Sequence, residues 1–221
     1  MKSKIAIIDI CGTLFESNTT FDFLDYFIRS WKFRFFRKIS KSIIWRVFNK
    51  ICRRLCGWDL TRIIALRFLK GYSRQQLTVA AENFYNTYLV HKIQQPVHVV
   101  VEELRRAGYE LCLVSATLDC IAEVVARKWR IKSYYSSSLS YDNSFCEGCL
   151  RTDYLGKKIE YLRRIGIYPP FDVTLTDDFS DMGLLRNSHK CIVVSKRSKT
   201  ESWIENLKRA GIDNYELIIL S

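Results

Sequence analysis

The apolar positions fall into two regimes along the chain. Ile5-Ala6-Ile7-Ile8 is a short unbroken run that ends at Asp9, just before Gly12. A run of that length, closed by turn residues, reads as a strand buried on both faces. Over 19–88 the pattern is helical instead. That stretch has no Pro, and Gly occurs only at 57 and 71, where helix ends are expected. From Pro96 onward, short apolar runs alternate with amphipathic stretches. Helices are predicted over 97–107, 118–129, 157–164, 179–186 and 200–210. Strands are predicted over 110–114, 172–175, 191–194 and 216–220, and 133–150 reads as a short strand and a hairpin. Alternating β and α implies an α/β fold, a Rossmann-like three-layer sandwich with a parallel sheet covered on both faces.

One row inside the helical stretch does not fit a simple buried face. Trp31, Phe35, Ile39, Ile43, Val47, Ile51 and Leu55 recur at every fourth position. An i+4 row drifts ~40° per step, so seven positions sweep ~240° around one straight helix. Two helices, or a bent one, are expected. No stretch reaches the ~18 uncharged apolar residues of a membrane span.

Charge is concentrated on the same region. The chain carries a formal +12, yet positions 28–74 alone hold fourteen basic residues against one acid, Asp59, a net +13. The basicity therefore belongs to one module. Two readings suit it about equally: helices covering the core with solvated charges, or an interfacial membrane surface. Basic residues would favour anionic lipid by ~1 kcal/mol each near the surface. Nucleic acid ranks lowest as a partner, because no RNA- or DNA-binding motif is present.

The 221 residues suffice for a sizeable core, and 9 Gly and 3 Pro leave no linker or low-complexity tract. Met1-Lys2-Ser3-Lys4 leads straight into the first strand, so no signal peptide and a cytoplasmic location are expected, with a peripheral place on the inner membrane face as the alternative that the basic module allows. In that compartment the eight cysteines are expected as free thiols. Cys52 with Cys56, and Cys146 with Cys149, have zinc-like spacing, but no second close pair or His completes a tetrahedral set.

Polar residues gather at predicted strand ends: Asp9, Ser115, and Asp177 with Asp181. Lys158 opens a helix just before the last group. Open α/β sheets place their sites at such ends. Singly, each has a plain structural role as a turn residue or helix cap. Together they supply what phosphoryl transfer needs: a nucleophilic carboxylate, oxygen ligands for a hard cation, and a hydroxyl and an ammonium for the developing charge.

Four segments carry a family likeness. Asp9-Ile10-Cys11-Gly12-Thr13-Leu14 resembles motif I of the haloacid dehalogenase (HAD) superfamily, Asp-x-Asp-x-Thr. Leu113-Val114-Ser115-Ala116-Thr117 resembles motif II. Lys158-Ile159-Glu160-Tyr161-Leu162 resembles motif III. The run from Thr176-Asp177-Asp178 through Asp181 to Leu185 resembles motif IV of the phosphoserine-phosphatase-like members. The resemblance implies a core formed by 1–17 and 93–221, with a helical C1 cap over 18–92. It further implies an Mg2+-dependent phosphatase acting on a phosphorylated small molecule or a lipid-linked phosphate. Asp9 would be the nucleophile and a metal ligand, with the Cys11 carbonyl, Asp177 and Asp181 as further ligands. Ser115, Ala116, Gly12 and Lys158 would hold the phosphoryl group. Lys157 is the weaker candidate for the lysine, and Asp178 stands where the family often has Ser.

The departure is Cys11, at the position of the general acid/base aspartate. That aspartate contributes typically ~10²–10⁴-fold, and a thiol with a pKa near ~8.5 is a poor substitute. Three outcomes are open: a slow phosphatase; transfer to another acceptor or action on a non-phosphate substrate; or an impaired scaffold that binds a phosphorylated ligand or partner.

Overall fold

The N-terminal apolar run lies where its composition sends it, in the middle of the sheet. A computed structural model describes residues 4–220. In it β1 (Ile5–Ile8) has a parallel neighbour on each side. Both faces are covered, so every position from Ala6 to Ile8 is buried.

Five helices follow β1: α1 (Thr19–Phe27), α2 (Trp31–Ser40), α3 (Ile43–Cys56), α4 (Leu60–Arg67) and α5 (Arg74–Thr87). Their ends are specified locally. Asn18, Ser42, Asp59 and Ser73 each accept a backbone N–H from the first turn, and Gly57 closes α3 in the left-handed region at φ 72°. A 3-10 turn (Leu89–Lys92) leads to α6 (Gln95–Arg106).

The alternating part follows as β2 (Glu110–Leu118), α7 (Asp119–Lys128), β3 (Ser133–Asp142), β4 (Phe145–Thr152), α8 (Lys158–Arg164) and β5 (Phe171–Thr176). Then come α9 (Met182–Leu185), β6 (Ser188–Lys196), α10 (Thr200–Arg209) and β7 (Tyr215–Leu220). The sheet order is β4-β3-β2-β1-β5-β6-β7. All pairs are parallel except β3 with β4. That hairpin turns on Asn143 and Ser144, both at positive φ, the geometry of a tight two-residue turn.

Several predicted boundaries shift, β6 for example running over Ser188–Lys196 where 191–194 is predicted. β2 continues past 114 because Ser115 and Leu118 still pair with β3, across a bulge. The helix predicted over 179–186 divides into a 3-10 turn (Phe179–Asp181) and the short α9. The hairpin expected within 133–150 is present and gives the otherwise parallel sheet an antiparallel edge strand at β4.

The long helical region breaks at Lys41-Ser42, where α2 ends and Ser42 caps α3. The break changes where the apolar row points. Phe33 and Ser40 are the buried residues of α2, and α3 has none. Trp31, Phe35, Ile39, Ile43, Val47, Ile51 and Leu55 are all exposed, so the row does not cover the core. What covers it is another set: Phe23 and Leu24 of α1, Leu66 of α4, and Phe84 of α5. These join Ile8, Leu113 and Val125 in one continuous cluster. Among the described residues, no helix is long and apolar enough to cross a membrane.

Candidate active site

Asp9 stands at the C-terminal tip of β1. Its N–H donates to the Leu175 carbonyl of β5 at 2.9 Å, which fixes the backbone one residue beyond the strand. Its carboxylate is almost wholly buried. Oδ1 accepts from the Ile10 N–H at 2.8 Å and sits 2.9 Å from Lys158 Nζ.

Lys158, at the start of α8, is also buried. Its ammonium donates to Asp181 Oδ2 at 2.6 Å and so bridges two carboxylates from different strand ends. Burial by itself would lower its pKa; the charges of Asp9 and Asp181 outweigh that and hold it protonated. Thr176 Oγ1 donates to the same Asp181 oxygen at 2.6 Å, while Asp181 Oδ1 is buried without a partner. Burial pushes the Asp181 carboxyl up to about 6 despite the lysine. Lys157 is exposed.

Asp177 leaves the tip of β5 and accepts the Thr13 hydroxyl at 2.9 Å. Burial, and then the charge of Asp9, push its carboxyl up to about 7. The loop after β1 presses directly against it. Gly12 has φ +75°, and a Cβ there would lie 2.2 Å from Asp177 Oδ2. Only glycine lets this backbone pass so close. The loop is also held from behind: Gln94 Nε2 donates to the carbonyls of Gly12 and Thr13 at 2.6 and 2.8 Å.

Cys11 keeps its thiol inside this loop, with Sγ 3.3 Å from the Ser17 carbonyl. Partial burial in the cavity wall, then the charges of Asp9 and Asp177, push it up to about 12. The side chain is therefore a neutral thiol at any physiological pH. It is neither a base nor a thiolate nucleophile.

Asp9, Cys11, Gly12, Ala116, Lys158 and Asp177 line one cavity of about 700 Å3, with Asp178 at its wall. Ser115 and Asp181 lie behind that lining. Ser115 is fully buried and accepts the Thr117 N–H at 3.3 Å. Asp178 caps the 3-10 turn by accepting from the Ser180 N–H at 2.8 Å.

Two residues outside the four motifs complete the wall. Arg62 of α4 is buried, donating to the Ala116 carbonyl at 2.5 Å and to Asp153 Oδ1 at 3.0 Å, with Nε unpartnered. Gln94 is the second. Nothing sets Arg62 apart among the fourteen basic residues of its segment. The only local mark of Gln94 is its place just before a helix that starts with Pro96 near its N-terminus.

The donor set suits a hard divalent cation. Three carboxylates face one ammonium, one carboxylate oxygen is orphaned in the interior, and Asp177 resists ionising beside Asp9. Among the described residues, however, no three His, Cys, Asp or Glu side chains form a ready ligand cluster. Lys158 occupies the space between Asp9 and Asp181.

A family model for haloacid dehalogenase-like hydrolases matches residues 6–186, which takes in all four motifs. The chain belongs to this family. Its solved relatives in fold are distant in sequence. A protein of unknown function from Bordetella pertussis Tohama I aligns with a TM-score of 0.69 at 17% identity, covering 99% of both chains. Phosphoserine phosphatase from T. onnurineus aligns at 0.55 and 17%, over 99% of this chain and 90% of that one. Cytosolic 5'-nucleotidase IIIB bound to cytidine aligns at 0.57 and 13%, over 98% and 79%. At these identities the likeness is one of fold. No curated protein matches the sequence.

Proposed function

We propose that this HAD protein hydrolyses a phosphomonoester of a small molecule, with Asp9 as nucleophile. The observation that carries the reading is the buried Lys158 ammonium, 2.9 Å from Asp9 and 2.6 Å from Asp181 in the cavity wall. An ammonium so placed holds the attacking carboxylate in position and neutralises charge on the phosphoryl oxygens. Ser115 accepts from Thr117 N–H and so keeps its own O–H proton, one layer behind Ala116 of the lining, where a shift of the β2 end would bring it to a phosphoryl oxygen. Gly12 and Ala116 line the cavity edge, where the Gly12 N–H already donates to the Ser17 carbonyl at 3.1 Å.

In the first step an Asp9 oxygen bonds to phosphorus, the ester P–O bond breaks, and the leaving alkoxide takes a proton from solvent water. A second water then attacks phosphorus, giving its proton back to solvent, the bond to Asp9 breaks, and phosphate departs. Asp9, Asp177, Asp181 and the Cys11 carbonyl are the groups that would hold Mg2+, which when bound would draw charge from the phosphoryl oxygens. The neutral Cys11 thiol is a poor proton donor to the alkoxide and no base toward water. Substrates with acidic leaving groups are therefore favoured.

Cys11 also supports a second reading, in which the phosphoryl group or a phosphorylated ligand is held without efficient release. One experiment separates the two. Wild type and Asp9→Asn are assayed with Mg2+ on a panel of phosphomonoesters that includes an aryl phosphate. We expect turnover in wild type and its loss by at least ~10³-fold in the variant. No turnover by wild type across the panel favours the holding reading.

A further inference from the structure

The outward side of α3 is left unused by the site. Its half-buried residues, Trp45, Asn49 and Cys52, mark the side against the protein. There Trp45 Nε1 donates to Thr61 Oγ1 at 2.8 Å, and Asn49 Nδ2 donates to Asp59 Oδ1 at 3.1 Å. The other side carries Ile43, Ile44, Val47, Phe48, Ile51 and Leu55, exposed by between 50% and 84%. At 100° per residue these six cover about 140° of the helix. α2 adds Trp31, Phe35 and Ile39, also exposed. A contiguous apolar surface of this kind on a charged protein marks an interaction site.

We propose that α2 and α3 dock on an anionic lipid bilayer. Their apolar side would enter the boundary between headgroups and acyl chains, while the neighbouring Lys and Arg meet lipid phosphates. Charge selects this occupant. Positions 28–74 hold fourteen basic residues and one acid, so a second copy would oppose like with like across the same face. Nucleic acid would satisfy the charge and leave exposed Ile, Val and Leu against phosphate and water. A bilayer accommodates both. Trp31 and Trp58, at the two ends of the helical pair and both more than half exposed, suit the headgroup level.

The full chain is floated with vesicles of phosphatidylcholine alone, and with vesicles of phosphatidylcholine and phosphatidylglycerol in equal parts. The expected result is binding to the mixed vesicles at moderate salt, with tryptophan emission shifted to the blue, and little binding to the neutral ones. Ile44→Ser with Leu55→Ser lowers the partition at least ~10-fold. Lys50→Glu with Arg54→Glu lowers it to a similar extent and flattens its salt dependence. All four side chains are exposed, and an unchanged circular dichroism melt checks that the variants fold. Should the apolar variant misfold, the charge-reversed one still decides. Asp9→Asn binds as wild type does, which keeps this result separate from the catalytic reading. The proposal is overturned by no binding to mixed vesicles, or by an apolar variant that folds and binds undiminished. A lipid-free dimer that the same substitutions dissolve also overturns it, in favour of a second copy.

Discussion

In the proposed reaction position 11 would supply two things, a backbone carbonyl and a proton-carrying side chain, and cysteine there would leave only the first. The backbone carbonyl of Cys11 is set by the β1 loop, which Gly12 and Gln94 hold against Asp177. The side chain is a thiol pushed up to about 12, unable to exchange protons near neutrality. Cys11→Asp is therefore expected to raise phosphomonoesterase turnover by ~10²–10⁴-fold with alkyl substrates, and less with aryl ones. Steady-state kinetics on one substrate of each kind check this, and an unchanged rate with alkyl substrates would sink the proton-shuttle argument. Asp9, Lys158 and Asp177 were legible in the sequence because a strand end or helix start delivers each of them. Arg62 and Gln94 were not. They reach the site through contacts with residues 54 and 82 positions away, which no local pattern encodes.

At the scale of elements, the loop after β1 depends on the residue that precedes α6. Gln94 is buried and makes both its donations to loop carbonyls. Gln94→Ala should cost about 1–3 kcal/mol of folding stability, since two buried acceptors lose their partner. Chemical denaturation measures that cost, and a loss below ~0.5 kcal/mol would mean the loop is held by other contacts. Periodicity found the order of strands and helices because each buries a face of the expected period. It did not find the extension of β2 through Ser115 to Leu118, since pairing across a bulge depends on β3 and not on local sequence. The apolar row is ambiguous in the sequence for a physical reason. Four-residue spacing drifts around a helix, so it fixes neither where the helix breaks nor which side meets the protein.

The molecule as a whole carries a site in which acids outnumber their counter-charge. Asp177 is pushed from an ordinary 3.8 up to about 7. A raised acid binds its proton more tightly folded than unfolded, so its contribution to stability is full below about pH 4 and falls as pH rises to about 7. In metal-free protein this contribution is expected to amount to ~2–4 kcal/mol, and Asp177→Asn should remove it, leaving the smaller slope from Asp181, which is raised to about 6. Melting curves between pH 4 and pH 8, with and without Mg2+, provide the measurement. Mg2+ is expected to stabilise the protein more at pH 8 than at pH 5; equal shifts would argue against a cation beside Asp177.

The unequal division of charge has one more consequence. With +13 on positions 28–74 and about −1 on all the rest, the molecule is an electric dipole as well as a cation. Near a negative surface it experiences a torque before any contact, within a screening length of about 8–10 Å. It would arrive with α2 to α4 foremost, and Arg53 and Arg62 from that same group stand in the wall of the cavity. The orientation of the molecule would thus be decided in solution, and the mouth of the cavity would be brought close to whatever that surface presents.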